Sequence, residues 1–376
     1  MSAPEAPRVV SHAARPVDLD AIEVALKQLW KLPGSEPTAE DAHLRACMAN
    51  LLIYCATGCD TGNLTDELDV IVRVQPSRVL LLIGGDETLG NAVTAEVSAR
   101  CHLGGEGHPI CSEQITVTAA RGASGRLAST ARPLLVGDLP TSLWWISDVP
   151  PPLGGEVFSA LRAMADQVIY SSDLWPDPVS GTIAVAGWVA GRPTVRPAVT
   201  DLAWRRLKPW RRLVSQTLDP AALLDALDRL DRIEVEHGSH GLPQAWLLTG
   251  WMASRLGWHA QGGMVHAGPD AVWTFRAPHG TVEIRIRRMP HGETGIQRLR
   301  VGWTRDESRH EVTFAPTGDG RLSATSPVLG EEPRTLILPS CTRAALVAAE
   351  LQELVPDLAF REALGVTLAM AESFTT

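Results

Sequence analysis

The spacing of apolar residues changes part-way along the chain, and this change limits the folds that the chain can adopt. After Gly257, apolar residues alternate with polar or charged ones in four segments, residues 272–276, 281–288, 298–304 and 311–314. A period of two is typical of strands with one buried and one solvated face. Turns rich in Gly or Pro separate the segments, so the sequence predicts an antiparallel β-meander.

The first half of the chain follows a different pattern, in which predicted helices and strands alternate. A helix is predicted near residue 20, and the spacing of Leu44, Cys47, Leu51 and Cys55 predicts a second one. Residues 78–84 form a short apolar run that is typical of a buried strand. Similar patterns predict strands at 94–101, 110–118, 140–146 and 168–170 and helices at 127–135 and 156–166. This order predicts an α/β domain with a mixed sheet.

These patterns predict two domains. Residues 1–17 read as a flexible tail, 18–173 as an N-terminal α/β domain, and 201–376 as a C-terminal α+β domain with helices and the β-meander. Residues 174–200 contain four Pro and three Gly and are predicted to be the junction. Helices are predicted in the C-terminal domain at 201–217, where Pro209 kinks or restarts the helix, and at 220–230, 242–256, 343–354 and 360–370.

Charge and hydropathy exclude two classes of partner. The chain carries 34 Lys and Arg against 43 Asp and Glu, a net charge of -9, so it is a poor candidate for binding nucleic acid. Its longest plainly apolar run, 79–83, is far below the roughly 20 residues of a membrane span. The first 20 residues lack the apolar region of a signal peptide, and 6 Cys are too few for a disulfide scaffold. We therefore expect a cytoplasmic protein with reduced thiols.

No catalytic, cofactor or metal motif is convincing in the sequence. Residues 85–90 resemble the start of a phosphate-binding loop, but Asn91 and Ala92 stand where Lys and Ser or Thr are needed. A strand-to-loop turn is the favoured interpretation. His237 and His240 lie in a polar turn without a recognisable catalytic pattern. We therefore predict no catalytic residue, no cofactor and no metal.

The cysteines leave two alternatives open. Cys101, His102, His108 and Cys111 lie within eleven residues, but their spacing does not match common zinc patterns, and small apolar cysteines in paired strands are the favoured reading. Cys55 and Cys59 could form a redox switch, whereas Cys47 and Cys55 lie eight residues apart and cannot bridge each other within one helix. Cys341 has no cysteine near it in sequence.

Tryptophan is the most unusual component. The chain has 12 Trp against 2 Tyr and 5 Phe. One group is the pair Trp144 and Trp145 in a predicted strand, and another lies at 246–258. A third belongs to a basic segment, Trp204, Arg205, Arg206, Lys208, Trp210, Arg211 and Arg212. Because Trp and Arg are enriched in interface hot spots, these rings either fill a core poor in Phe or form a partner surface.

Five segments, taken together, identify a family. In chain order they are Pro76-Ser-Arg-Val79, ICSEQI at 110–115, DLPTSLWW at 138–145, DLAWRRLKPWR at 201–211 and LTGWMASRLGW at 248–258. In this order they resemble the OpcA family of glucose-6-phosphate dehydrogenase assembly proteins. The resemblance covers about residues 40 to 345.

The resemblance implies a protein that is not itself an enzyme. It implies that the chain binds glucose-6-phosphate dehydrogenase, favours its active oligomer as an allosteric activator, and thereby supports the oxidative pentose phosphate pathway and NADPH supply. Cyanobacterial members connect activation to thioredoxin through cysteines late in the chain. Only Cys341 lies in the last third here, so this redox property is not transferred.

The resemblance and the tryptophan pattern together lead to a surface hypothesis and an alternative. The hypothesis assigns partner binding to Trp144 and Trp145 and to the basic segment from Trp204 to Arg212. The alternative is an enzyme of unknown class on a doubly wound α/β fold that binds a sugar phosphate or nucleotide near residues 84–90.

Overall fold

The computed structural model describes residues 8–29, 44–56, 61–90, 92–103, 109–191, 197–218, 224–265, 270–290, 293–330 and 332–374. Contacts between Cα atoms divide the chain into two compact units. Unit 1 comprises Met1–Tyr170, Val195–Val199 and Thr342–Pro356, and unit 2 comprises Ser171–Thr194, Thr200–Cys341 and Asp357–Thr376. The division departs from the predicted domains, because residues 342–356 belong to unit 1 and residues 174–194 belong to unit 2.

A nine-stranded mixed sheet begins in unit 1. Its strand order is β1-β5-β6-β4-β3-β7-β8-β9, with β2 beside β6, and the strands are β1 (Arg8–Pro16), β2 (Leu44–Arg45), β3 (Ala49–Cys55), β4 (Ser77–Asp86), β5 (Val93–Leu103), β6 (Pro109–Ala120), β7 (Thr141–Ile146), β8 (Gln167–Tyr170) and β9 (Ala198–Asp201). The central strands β6, β4, β3, β7 and β8 are parallel. At one edge, β5 and β1 are antiparallel additions.

Eleven α-helices occur in the described part of the chain. They are α1 (Leu19–Leu29), α2 (Thr61–Val74), α3 (Arg126–Ala131), α4 (Gly155–Arg162), α5 (Pro178–Ala190), α6 (Leu202–Arg206), α7 (Lys208–Leu218), α8 (Leu224–Leu227), α9 (Leu242–Leu256), α10 (Arg343–Leu351) and α11 (Leu358–Glu372). Helices α1–α4 and α10 belong to unit 1, and the others belong to unit 2. None of the described helices has the length and apolarity needed to cross a membrane.

Two sequence-based predictions in unit 1 are wrong. Residues 8–16 of the predicted tail form β1, which pairs with β5. The predicted helix containing Leu51 and Cys55 is instead the strand β3. The run Leu51-Leu52-Ile53 is apolar without a break, and every side chain in it is fully buried. Where both faces of a parallel strand are covered, apolar residues occur at every position, so the spacing of a few of them does not distinguish a strand from a helix.

Unit 2 contains an eight-stranded mixed sheet. Its strand order is β11-β12-β13-β10-β14-β15-β16-β17, and the strands are β10 (Leu230–His237), β11 (His259–Val265), β12 (Asp270–Ala277), β13 (Gly280–Arg288), β14 (Ile296–Arg305), β15 (Ser308–Thr317), β16 (Arg321–Thr325) and β17 (Arg334–Ile337). Strands β10 and β13 are parallel, and the other described pairs are antiparallel. The predicted α/β class with a β-meander is confirmed, while the pairing of β10 with β13 makes this second sheet mixed.

One face of the second sheet carries charged residues, as the period of two predicts. Along β13, Val282, Ile284 and Ile286 are buried, and the residues between them are more exposed. On neighbouring strands, Arg300 pairs with Glu234 at 2.8 Å and Arg298 pairs with Glu236 at 2.9 Å. Opposite charges in facing positions attract one another, so ion pairs stabilise one face of the sheet while apolar burial stabilises the other.

The predicted junction contains a helix instead. Helix α5 begins at Pro178, and the side chain of Asp177 accepts hydrogen bonds from the backbone N–H groups of Val179 and Ser180, both at 3.1 Å. Proline in the first turn starts a helix because its missing N–H is not needed there. Pro and Gly content therefore marked a segment where the chain passes between the units, but it did not reveal the helix within that segment.

A glycine sets the distance between two helices of unit 2. A Cβ added to Gly250 in α9 would lie 2.5 Å from the carbonyl oxygen of Ala363 in α11. Because that contact is with backbone, Gly250→Ala should push the helices apart and lower the free energy of unfolding by about 1–3 kcal/mol in urea denaturation. Gly187 in α5 is the control: its added Cβ meets nothing within 4 Å, so Gly187→Ala should be neutral or stabilising. Equal losses in both variants would contradict this reading of Gly250.

Candidate functional site

The basic segment is anchored in unit 2 by a buried carboxylate. Asp201 precedes α6, and its Oδ1 accepts hydrogen bonds from the backbone N–H groups of Ala203 at 2.9 Å and Ser172 at 3.1 Å. Its side chain therefore caps α6 and holds the segment that follows Ser171. As predicted, a break precedes Pro209: α6 ends at Arg206, and α7 begins at Lys208.

The tryptophan rings of this segment are not available to a partner. Trp204 and Trp210 are only 2% and 7% exposed. The Trp204 Nε1–H donates a hydrogen bond to Asp357 Oδ2 at 2.8 Å, and the ring packs against Phe360. The guanidinium carbon of Arg211 lies 3.4 Å from the ring centroid. The assignment of Trp204 and Trp210 to a partner surface is therefore corrected, because both rings are buried and stabilise unit 2 by packing.

The basic side chains of the segment divide into two groups. Arg206 pairs with Asp173 at 2.5 Å, and Arg205 and Arg211 are half-buried. Lys208 and Arg212 are exposed. Exposed cations can meet another protein directly, so the partner hypothesis now depends chiefly on Lys208 and Arg212.

Trp144 and Trp145 lie in β7 of unit 1 and are also buried, at 1% and 3% exposure. Adjacent residues in a strand point to opposite faces, and both faces are covered here. Trp145 stacks on Tyr54 with ring centroids 4.2 Å apart, and the guanidinium carbon of Arg343 lies 5.4 Å from the Trp144 ring centroid. The expectation that this pair contributes to a partner surface is corrected in the same way.

Two carboxyl groups near the basic segment have a pKa above the ordinary value of aspartate. Burial is the main cause that raises the pKa of Asp201 to about 7, and the nearby Asp173 carboxylate raises it further. Burial also raises the pKa of Asp173, against the opposing effects of Arg206 and Gln244. The two groups therefore hold protons more tightly than ordinary aspartates. Sequence spacing could not have revealed them, because Asp173 and Asp201 lie in different segments.

A cavity of about 590 Å³ adjoins Asp173 within unit 2. Residues from four other regions also line it, including His237, His240, Arg288 and Phe374. Burial lowers the pKa of His237, whose Nδ1 lies 2.8 Å from the backbone oxygen of Gly238. His240 has a positive φ of 57°, which is uncommon for a residue other than glycine. The sequence shows the two histidines only as part of a polar turn.

The remaining sequence candidates are placed as follows. Residues 86–88 form a turn in which Asp86 Oδ1 accepts a hydrogen bond from the Thr88 N–H at 2.7 Å, consistent with the strand-to-loop interpretation. Cys101 and Cys111 face each other on β5 and β6 and form a disulfide, which corrects the expectation of reduced thiols. No group of three or more metal-ligating residues occurs among the described residues. His108 and Cys59 lie outside them.

Comparisons with known proteins identify related sequences. A family model for the N-terminal domain of a glucose-6-phosphate dehydrogenase subunit matches residues 69–186, and a second model, for the C-terminal domain of this subunit, matches residues 197–364. An OxPP cycle protein OpcA of Nostoc punctiforme is 34% identical over 50% of this chain and 40% of its own length. Its counterpart in Synechocystis is 27% identical over 64% of this chain and 51% of its own length.

The chain thus spans about half or less of the length of these relatives. Among solved structures, an oxidoreductase from Sinorhizobium meliloti is 10% identical, with a TM-score of 0.46 and coverage of 88% of each chain, a likeness that carries no information on activity. The two matching models describe consecutive domains of one family and together cover most of the sequence. The chain therefore belongs to the OpcA family.

Proposed function

We propose that this chain is a non-catalytic subunit that binds glucose-6-phosphate dehydrogenase in the cytoplasm and favours its active oligomer. In this role it supports the oxidative pentose phosphate pathway and the supply of NADPH. The observation that carries the proposal is the match of residues 69–186 and 197–364, in order, to two domains described as parts of a glucose-6-phosphate dehydrogenase subunit.

The mechanism is thermodynamic linkage. A protein that binds the active oligomer more tightly than the inactive form shifts the equilibrium by the difference in its two binding free energies. A tenfold difference in affinity corresponds to about 1.4 kcal/mol. No chemical step by the chain itself is needed, and an interface of ordinary size supplies such a difference.

The direct experiment mixes the purified chain with the dehydrogenase of the same organism. We expect the two proteins to elute together in size-exclusion chromatography, the dehydrogenase to shift toward a larger oligomer, and its activity to rise in a saturable manner. Separate elution together with unchanged activity would contradict the proposal. An active-site inhibitor of the dehydrogenase should abolish all turnover in the mixture, because the chain contributes none.

The exposed cations of α7 provide the test of the binding surface. Lys208→Glu combined with Arg212→Glu should weaken dehydrogenase binding by about tenfold at low salt, because charge at an interface rim governs encounter. Both residues are exposed, so thermal unfolding should change little. Surface plasmon resonance measures the affinity, and the affinity of the double variant should depend less steeply on salt concentration.

A charge-matched control distinguishes an effect of this surface from an effect of the change in net charge. Arg276→Glu with Arg305→Glu makes the same change at exposed positions of the second sheet. Equal weakening by both double variants would contradict a surface centred on α7. Arg206 is unsuitable for this experiment, because its ion pair with Asp173 would be lost and unit 2 would be destabilised.

A further inference from the structure

The sheet of unit 2 has one covered face and one open face. The covered face is apolar: Trp273 and Ile284 are fully buried, and the Trp273 ring packs against Trp246 of α9. The residues next to them along each strand point to the opposite face. There the side chains of Arg285 and Arg287 on β13 are 38% and 44% exposed. We call this side of β12, β13, β10 and β14 the open face.

Charge alternates from strand to strand across the open face. In the register of the sheet, Arg287 of β13 lies opposite Asp270 of β12 and opposite Glu236 of β10. On its other side, Glu236 lies opposite Arg298 of β14. This row of facing residues therefore carries a negative, a positive, a negative and a positive charge in turn.

Two further rows follow the same rule on the central strands. In the second row, Arg285 of β13, Glu234 of β10 and Arg300 of β14 are neighbours. In the third row the signs on β13 and β10 are exchanged, and Glu283 lies opposite Arg232. In all three rows, the facing residues of β13 and β10 thus have opposite charges.

Ion pairs within the chain hold these side chains in place. Arg287 pairs with Asp270 at 2.7 Å, and Arg285 pairs with Glu283 at 3.0 Å. Glu236 is paired with Arg298 and its side chain is only 10% exposed. Long charged side chains lose rotamer freedom when they enter an interface, and side chains that are already ordered lose less. The open face is therefore preorganised for binding.

The alternation makes the open face complementary to a copy of itself. In a symmetric dimer the same surface of both chains meets across a two-fold axis. An axis parallel to the strands, between β10 and β13, places β10 of one chain against β13 of the other and keeps the rows in line. The pairs across this axis all have opposite charges: Glu236 with Arg287, Glu234 with Arg285, and Arg232 with Glu283.

The area of the open face is close to what a stable dimer needs. The axis has three strands on each side, from β11 to β15 in the order of the sheet, and with neighbours about 4.8 Å apart these six strands span roughly 30 Å. Strand β10 has 8 residues and is about 26 Å long. Each copy would contribute roughly 750 Å², against about 800 Å² per partner in an interface of standard size.

We propose that the open face binds a second copy of this chain and forms a symmetric dimer. The two-fold axis runs between β10 and β13, and the interface is held chiefly by ion pairs between the chains. This dimer goes beyond the proposed function and does not depend on it, because two copies associate without any dehydrogenase. Lys208 and Arg212, which belong to α7, are not part of the open face.

Analytical ultracentrifugation of the purified chain measures the dimer directly. We expect a mass that rises with concentration and reaches twice that of a single chain. Because the interface is charged, raising the salt concentration from about 0.05 M to about 0.5 M should weaken the dimer by about tenfold. A single-chain mass throughout the micromolar range would overturn the proposal.

A double charge variant locates the interface. Arg285→Glu combined with Arg287→Glu places like charges against β10 of the second copy and should weaken the dimer by at least about tenfold. Lys208→Glu combined with Arg212→Glu makes the same change of net charge on α7 and should leave the dimer intact. A dimer that both double variants weaken equally, or that neither weakens, would overturn the assignment to the open face.

A second variant is needed because both arginines form ion pairs within the chain, so their replacement can prevent folding. Thr274 of β12 is exposed and lies in the third row, so the same axis places it against Gly302 of the second copy. Thr274→Trp adds a large ring where the two faces meet and removes no ion pair. It should weaken the dimer by at least about tenfold and leave the circular dichroism spectrum unchanged.

The outcomes for Thr274→Trp complete the test. A folded variant that dimerises as tightly as the parent chain would overturn the two-fold arrangement. A parent chain that stays single, combined with loss of dehydrogenase binding in Thr274→Trp, would assign the open face to the dehydrogenase and overturn the dimer.

Discussion

Replacing Trp273 by alanine is expected to lower the free energy of unfolding by about 3–5 kcal/mol. The ring is fully buried in β12, and its Nε1–H lies 3.2 Å from the Met370 carbonyl oxygen and 3.1 Å from Ser373 Oγ. It packs edge-on against Trp246, with centroids 6.3 Å apart, and against Phe374 at 4.8 Å. Alanine would leave a large cavity and remove the donor that both oxygen atoms share.

Urea denaturation followed by circular dichroism measures this loss, and two variants act as controls. Trp273→Phe keeps most of the apolar volume but loses the hydrogen bonds, so we expect an intermediate loss of about 1–2 kcal/mol. Trp251→Ala alters a partly exposed ring and should cost less than Trp273→Ala. A loss below about 1 kcal/mol for Trp273→Ala would contradict the central position of this ring in unit 2.

The second large effect concerns pH. The pKa of Asp201 rises from 3.8 to about 7 on folding, so the folded state binds this proton more tightly than the unfolded state. Its contribution to stability is therefore complete below about pH 4 and is lost as the pH rises through about 7. At about 1.4 kcal/mol per pKa unit, the contribution is at most about 4 kcal/mol. Asp201→Asn removes the titratable carboxyl group, so the decline of stability with rising pH should become shallower. The variant should still fold, since its amide oxygen can accept the two backbone hydrogen bonds.

Urea denaturation at several values of pH measures the slope, with a second capping aspartate as the matched control. Asp177 also caps a helix, but it is exposed, and hydrogen bonds from Ser180 lower its pKa. Its contribution is present above the unfolded pKa and is lost only as the pH falls through a still lower value. Asp177→Asn should therefore leave the slope between about pH 4 and 7 intact. An unchanged slope in Asp201→Asn would contradict the assignment to Asp201.

The sequence predicted helices and strands correctly where a single local rule determines them. The helix from Leu242 to Leu256 ends at Gly257, which adopts φ 68°, and that stop follows from local chemistry. Strand β13 alternates as its sequence predicts because one face is buried and the other carries charges. Strand β3 lies inside a parallel sheet, so both faces are apolar and the period disappears.

The candidate site was less predictable because its residues are joined by long-range contacts. Trp204 was assigned to a partner surface, but it is buried, and its hydrogen-bond partner Asp357 is 153 residues away in the chain. Likewise, Ser172, His237 and Arg288 belong to three separate segments that meet only in the folded unit. The excess of tryptophan has a simpler explanation after folding, since nine of the tryptophans that the structure describes are buried and serve mainly as packing.

The route of the chain between the two units has a consequence for its synthesis. Unit 1 needs residues 342–356, where Arg343 pairs with Glu67 at 2.8 Å and the Glu350 carbonyl oxygen accepts a hydrogen bond from Gln167 at 3.2 Å. A ribosome adding about 5–20 residues per second reaches this segment roughly 10–30 s after Tyr170. During that interval the nascent unit 1 lacks α10, and Glu67 and Gln167 lack the partners that α10 provides.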